Sequence, residues 1–90
     1  KINYFPFMNI YIVRKRLLIR SWRRGTKELD LILGRFSSNN VSNLEMAELD
    51  LYERLLSNDD YVIYGWLFGK EESPKIFCKL IKQIQKGMYR

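Results

Sequence analysis

Few side chains in this sequence could do chemistry, and the residue types that are missing limit that chemistry most. Histidine is absent and cysteine occurs once, as Cys78. The chain therefore lacks the usual general base near neutral pH and the commonest metal ligand, and no Ser-His or Cys-His nucleophile pair can be built. The adjacent carboxylates of Asp59 and Asp60 point in different directions on a helix and are interpreted as capping acids. We predict no catalytic residue, no metal site and no enzymatic activity.

A run of cations is the second feature with chemical potential. It comprises Arg14, Lys15, Arg16, Arg20, Arg23, Arg24 and Lys27. Three interpretations fit a basic helix: a solvated face, a phosphate-binding surface for nucleic acid, or a docking surface for an acidic partner. The net charge of +6 is distributed as +7 over residues 1–40, −6 over 41–72 and +5 over 73–90. An acidic middle can therefore neutralise part of the basic run, and charge alone leaves the three interpretations open.

Apolar residues repeat at helical spacing, and capping residues divide the pattern into helices. The first helix is expected at about Asn9–Arg24, where Gly25 in the left-handed C′ position ends it. Thr26 caps the second helix, and a polar loop is expected over residues 37–40. If the first helix continued, Arg16, Arg20, Arg23 and Lys27 would share one of its faces.

The second half of the chain has its own start and stop signals. Ser42 and Glu45 form a predicted capping box for a third helix that ends near Ser57. A short fourth helix, Asp59–Phe68, is stopped by Gly69. The fifth starts after Ser73 with Pro74 in its first turn, where a missing N–H costs nothing, and ends at Gly87.

These elements predict an all-α fold, a compact five-helix bundle-like domain with short connections. We expect residues 1–9 to form a loose N-terminal arm and residues 10–90 to form the single helical domain, since 90 residues suffice for one domain. The side chains assigned to the core include Phe36, Tyr52, Tyr64, Trp66 and Cys78.

No stretch of the sequence reaches the roughly 20 apolar residues that span a bilayer. The apolar run at 2–13 is followed rather than preceded by its cations and lacks a small-residue cleavage site, so it is a poor secretory signal. The expected location is a bacterial cytoplasm, with the mitochondrial matrix as the alternative, and no membrane insertion is expected.

The segment from Arg14 to Phe36 resembles the succinate dehydrogenase assembly factor family, small helical proteins that promote FAD attachment to a flavoprotein subunit. The family's hallmark is Arg-Gly-x-x-Glu, followed by Leu-Asp or Met-Asp, apolar residues and a Phe. The residues that match this pattern are Arg24, Gly25, Glu28, Leu29, Asp30 and Phe36. The basic run upstream is similar to the alphaproteobacterial and mitochondrial branch.

The second half matches that family more loosely. Leu55, Leu56, Asp60, Tyr64 and Trp66 keep the positions of the family's Leu-Leu, acidic-turn, aromatic and Trp residues. The departures are Tyr61 where Pro is usual, Val62 where Asp is usual and Gly65 where Asn is usual.

The resemblance implies a factor that binds the flavoprotein subunit of succinate dehydrogenase, fumarate reductase or both. It also implies that the flavin bonds to a histidine of that partner, so FAD belongs to the client and none is bound tightly here. The partner-binding residues it implies are Arg24, Gly25, Glu28, Arg20, Asp30 and Trp22.

From the residues alone, Gly25 is an ordinary helix cap, Glu28 a first-turn acid and Arg24 a solvated charge. Asp30 is open between partner contact and a salt bridge to Arg23 or Lys27, and Trp22 between interface and core. The alternative function is a basic helical module that binds nucleic acid or regulates transcription.

Overall fold

The computed structural model describes residues 9–88, which contain five α-helices and no strand. The helices are α1 (Ile10–Ser21), α2 (Lys27–Asn40), α3 (Met46–Leu56), α4 (Asp60–Leu67) and α5 (Lys75–Met88), with one 3-10 turn at Val41–Asn43. The all-α prediction with five helices is confirmed. The arm predicted at residues 1–9 lies almost wholly outside the described residues.

Polar side chains cap the first three helices, although the third cap differs from the prediction. The Asn9 carboxamide oxygen accepts from the backbone N–H of Tyr11 at 2.7 Å, at the start of α1. The α3 cap joins the Glu45 N–H to the Glu48 carboxylate at 2.9 Å. The predicted box at Ser42 and Glu45 is therefore wrong by one turn, because Leu44 is extended and buried and interrupts any helix there.

The polar loop predicted at residues 37–40 is wrong, because α2 continues through Asn40. Leu33, Ser37 and Val41 are buried at i, i+4 and i+8 spacing, so one helical face reaches the core along this whole segment. The Asn40 side chain also donates to the carbonyl of Phe36 at 2.8 Å, which satisfies a carbonyl near the helix end.

The later helix boundaries follow the predicted signals closely. Gly69 has a φ of 75° and lies just after α4, in the left-handed region that glycine tolerates best. Pro74 directly precedes α5, and its carbonyl accepts from the N–H of Phe77 at 2.9 Å. The predicted stop at Gly69 is therefore confirmed, whereas the stop predicted at Gly87 is wrong, because α5 continues to Met88.

All five helices contribute to one apolar core. Its fully buried members are Val13, Leu17, Leu29, Leu33, Leu49, Tyr52, Leu55, Leu56, Ile63, Leu67 and Ile84. Phe36, Tyr52 and Trp66 are buried as predicted, whereas Tyr64 is half-buried. The assignment of Cys78 to the core is wrong, because Cys78 is exposed. It follows Phe77 by one residue, so it points away from the helix face on which Phe77, Leu80 and Ile84 are buried.

Among residues 9–88, none of the helices is both long enough and apolar enough to cross a bilayer.

Candidate partner-binding corner

The α1–α2 corner, residues 22–26, brings together the residues singled out in the sequence. Helix α1 ends at Ser21, earlier than the predicted Arg24, and Trp22 closes its last turn. The corner ends at Thr26, whose hydroxyl accepts from the N–H of Leu29 at 3.2 Å and caps α2 as predicted. Because α1 stops at Ser21, Arg23 and Lys27 lie beyond it, and the condition for a shared cationic face with Arg16 and Arg20 is not met.

Arg24 is turned inward and is held by the segment that leads into α4. Its Nε donates to Asp60 Oδ1 at 2.7 Å. Its two terminal nitrogens donate to the carbonyl oxygens of Leu56 at 2.8 Å and Asn58 at 3.0 Å. The Arg24 side chain is only 10% exposed. The planar fork therefore recognises a carboxylate and two carbonyls of its own chain, and Arg24 is not a solvated charge.

Gly25 makes room for the same carboxylate. Its backbone N–H donates to Asp60 Oδ2, and a Cβ at this position would lie 2.6 Å from that oxygen. Gly69, not Gly25, is the glycine with positive φ among the described residues. The predicted left-handed C′ role of Gly25 is therefore wrong, and the reason for a glycine here is the close approach of Asp60.

Asp30 stabilises the corner from the α2 side. Its Oδ1 accepts from the backbone N–H of Arg24 at 2.5 Å. Neither of the predicted ion pairs, with Arg23 or with Lys27, is present among the described residues. Asp30 and Asp60 thus hold Arg24 and Gly25 from two sides, and we call the set Arg24, Asp30 and Asp60 the clamp.

The exposed side of the corner carries Gly25 and Glu28. Within residues 9–88, the Glu28 carboxylate makes no hydrogen bond or ion pair, so it does not hold Arg24 or Arg20. Arg20 instead lies 3.4 Å from a carboxylate oxygen of Glu53, and its side chain is 35% exposed. Gly25 and Glu28 are therefore accessible to a partner on a surface that the clamp keeps in place.

Trp22 lies at the start of the corner, and its side chain is partly packed on the protein and partly exposed, so it combines the predicted core and interface roles. Its indole ring covers Gly34, where a Cβ would come within 2.5 Å of the ring atoms. Its Nε1 donates to the Ser38 hydroxyl at 3.2 Å, yet 40% of the residue stays exposed. One face of the ring packs on α2 and the rest is free to contact a partner.

Asp60 is the functional residue that sequence reasoning assigned wrongly. It was interpreted as a capping acid, but its carboxylate joins Arg24 and Gly25. The pair spans 36 positions in sequence, so no local pattern predicts it. The one sequence signal for a role of Asp60 is the acidic turn before Tyr64 and Trp66, which has the same position in the family that the sequence resembles.

A buried hydroxyl pair lies beneath the corner. The Tyr52 hydroxyl is 2.6 Å from the Ser21 hydroxyl, which in turn donates to the carbonyl of Leu17 at 2.7 Å. Burial raises the pKa of Tyr52 to about 12, so it stays neutral and serves the core. No cluster of three or more metal-ligating side chains occurs among residues 9–88.

Comparison with known proteins gives one consistent family. The family model described as "Flavinator of succinate dehydrogenase" matches residues 15–88. A protein of Legionella pneumophila (strain Paris) named FAD assembly factor SdhE is 35% identical over 71 residues, covering 79% of this chain and 90% of the relative. Succinate dehydrogenase assembly factor 2, mitochondrial, of Dictyostelium discoideum is 38% identical over 74 residues, covering 81% of this chain and 52% of the relative. The matches include bacterial and mitochondrial proteins.

Proposed function

Since the chain belongs to the family of flavinators of succinate dehydrogenase, we propose that it binds the flavoprotein subunit of succinate dehydrogenase and promotes covalent FAD attachment to it. The names of its relatives are those of assembly factors, in agreement with the prediction that the chain is not an enzyme. The bond to FAD would form on the client, whose own side chain supplies the attacking atom.

The exposed corner held by the clamp carries this proposal. Gly25 and Glu28 face outward, whereas the Arg24 side chain and the Asp30 carboxylate are engaged within the chain. We assign contact with the client to Gly25 and Glu28, with Trp22 and the half-exposed Arg20 at the edge. Arg24 and Asp30 act as positioning residues: they fix the corner so that docking costs little ordering entropy.

FAD is expected to reach this protein only as part of the client. Binding a dinucleotide usually requires a glycine-rich phosphate loop, and this sequence has none. We place the encounter in a bacterial cytoplasm, with the mitochondrial matrix as the alternative. A fumarate reductase flavoprotein is the second client to test, because the corner offers no feature that would distinguish the two.

The test is a flavinylation assay with purified components. Apo flavoprotein subunit and FAD are mixed with or without the protein, and covalent flavin is followed by in-gel fluorescence. The parent is expected to accelerate labelling, and Gly25→Arg is expected to abolish the acceleration, because an arginine there would displace Asp60 and fill the docking surface. Glu28→Gln should weaken it with the fold intact, since Glu28 is exposed and unpaired within residues 9–88.

The matched control is Gly87→Arg, which adds the same side chain where a Cβ meets no atom within 4 Å. It should retain the parent's activity. If the parent neither accelerates labelling nor binds the subunit, the proposed function is wrong. If Gly25→Arg and Gly87→Arg behave alike while the parent is active, the function stands and the site is elsewhere.

A further inference from the structure

Helix α4 exposes an aromatic face that the fold itself leaves uncovered. Tyr61 is 86% exposed, the highest value among the large apolar residues of the described chain, and Val62 and Phe68 are 38% and 39% exposed. The rings of Tyr64 and Phe68 lie 4.4 Å apart. No charged residue occurs between Tyr61 and Gly69. Neighbouring exposed apolar side chains that form a contiguous patch are the kind of surface that marks an interaction site.

This face is continuous with the α1–α2 corner. Asp60, the first residue of α4, is bonded to both Arg24 and Gly25, and Tyr61 is its neighbour in the chain. A standard interface covers roughly 800 Å² on each partner, a patch of about 16 Å radius. A protein that docks over Gly25 and Glu28 with an interface of that size therefore extends over the first turn of α4.

We propose that Tyr61, with Val62 and the Tyr64–Phe68 ring pair, forms the second half of the client-binding surface. This inference rests on the proposed function, because it takes the flavoprotein subunit as the occupant. The corner provides the polar half, with the Glu28 carboxylate and the Gly25 backbone. The α4 face provides the apolar half, with Tyr61 as its anchor.

The composition of the face defines the surface that it fits on the client. Interface cores are depleted in charge and enriched in aromatic residues, and tyrosine is frequent among the residues that dominate binding energy. A groove of about 340 Å³ is lined by Tyr61, Val62 and Trp66, and Lys70 and Glu71 also contribute to its lining. The matching surface is an uncharged apolar ridge that enters this groove, next to an acceptor for the Tyr61 hydroxyl.

The experiment measures affinity for the purified flavoprotein subunit by titration calorimetry. Tyr61→Ser removes the anchor at a site so exposed that the fold is unaffected, which circular dichroism verifies. The matched control is Tyr11→Ser: Tyr11 is 71% exposed but lies near the opposite end of α1, about 15 Å along the helix from Ser21. We expect Tyr61→Ser to raise Kd at least about thirtyfold, the loss typical of a binding hot spot, and Tyr11→Ser to leave Kd within about twofold.

The outcomes separate this inference from the function on which it rests. If the parent binds the subunit and Tyr61→Ser binds equally well, the α4 face is not part of the interface, although the proposed function stands. If the parent forms no complex, both proposals fail. If Tyr61→Ser dissociates a dimer of this protein without changing its affinity for the subunit, the face serves self-association and the inference is overturned.

Discussion

Arg24 directs each nitrogen at the end of its side chain to an acceptor of the same chain: one carboxylate and two carbonyls. The last carbonyls of a helix, such as that of Leu56 in α3, have no partner within the helix, and the carbonyl of Asn58 just beyond α3 likewise needs an outside donor. The guanidinium supplies that donor and fixes the start of α4 at the same time. Arg24, which is expected at an interface, thus stabilises the backbone that supports this surface.

Replacing Arg24 by Ala should destabilise the protein by about 2–4 kcal/mol, because two carbonyls and the Asp60 carboxylate lose a charged donor. Arg24→Lys should cost roughly half as much, since one ammonium group cannot reach all three acceptors. The measurement is urea unfolding followed by circular dichroism. Arg23→Ala, at an exposed neighbour, is the control and should stay within about 0.5 kcal/mol of the parent. Equal midpoints for the two alanine variants would contradict the clamp.

The burial of Tyr52 makes the stability of the folded protein depend on pH, and it also determines the sign of that dependence. Burial raises the pKa of Tyr52 to about 12, whereas a tyrosine in the unfolded chain titrates near pH 10. Between these values the folded protein keeps a proton that the unfolded chain releases, so stability falls as pH rises from about 10 to about 12.

Tyr52→Phe should remove this part of the alkaline decline, and at neutral pH it should cost about 1 kcal/mol for the lost bond to Ser21. Unfolding midpoints at pH 8 and pH 11 test both effects, with Tyr11→Phe as the exposed control. A Tyr52→Phe variant that declines as steeply as the parent would show that burial does not hold the proton.

At the scale of helices, α1 and α2 meet through Trp22 and Gly34. The indole lies where any side chain at position 34 would be, and Nε1 reaches Ser38 on the next turn of α2. The end of α1 is thereby anchored to the middle of α2, so the two helices that flank the corner are fixed relative to each other.

Gly34→Ala should displace the Trp22 ring, because a Cβ there would overlap the indole. Overpacking of this kind typically costs 1–3 kcal/mol, partly offset by the better helix propensity of alanine, about 1 kcal/mol. The indole N–H resonance of Trp22 should shift while that of Trp66 stays in place. Unchanged resonances for both indoles would show that the corner accommodates the added methyl group without moving the ring.

The sequence predicts helix boundaries correctly where a single residue determines the boundary. Thr26 caps α2 through its hydroxyl, whereas Gly69 and Pro74 mark helix boundaries through their own backbone preferences, and these boundaries are confirmed. The prediction failed at residues 37–40, where polar residues suggested a loop but the spacing of Leu33, Ser37 and Val41 against the core maintains the helix. Tertiary contacts override local propensity at such positions.

The candidate site shows the same division. The residue set around Arg24 and Gly25 was predicted by its motif, whereas its internal arrangement depends on Asp60, which is 36 positions away. Gly25 was expected to matter for its backbone angle and instead matters for the space it leaves. A motif therefore predicts where a site lies better than it predicts what each of its residues does there.

At the scale of the whole molecule, the charge is divided among the helices. Lys75, Lys79, Lys82 and Lys86 are exposed on α5, whereas the start of α3 exposes Glu45, its capping residue, and Glu48 in its first turn. Of the seven cations in the basic run, Arg24 is internal and Arg20 is close to Glu53. Among residues 9–88 the basic run therefore forms no continuous stripe, and the separate row on α5 has four lysines, fewer than the roughly six or more phosphate contacts typical of tight duplex binding.

We therefore expect no saturable binding of a DNA duplex at micromolar protein in about 150 mM salt. Fluorescence anisotropy with a labelled duplex, at 50 and 200 mM salt, is the measurement. Contact with six or more phosphates would change affinity by about a thousandfold or more across that range. A dependence that steep would favour the nucleic-acid alternative over a protein client.

The 36-residue span between Arg24 and Asp60 also sets an order of events during synthesis. A nascent chain that ends before position 60 contains the sequence of α1, α2 and α3, but its corner lacks the carboxylate that binds Gly25 and Arg24. The surface that we assign to the client is therefore completed only when α4 is made. A truncated translation product would carry the full Arg-Gly-x-x-Glu motif and still lack a finished docking site.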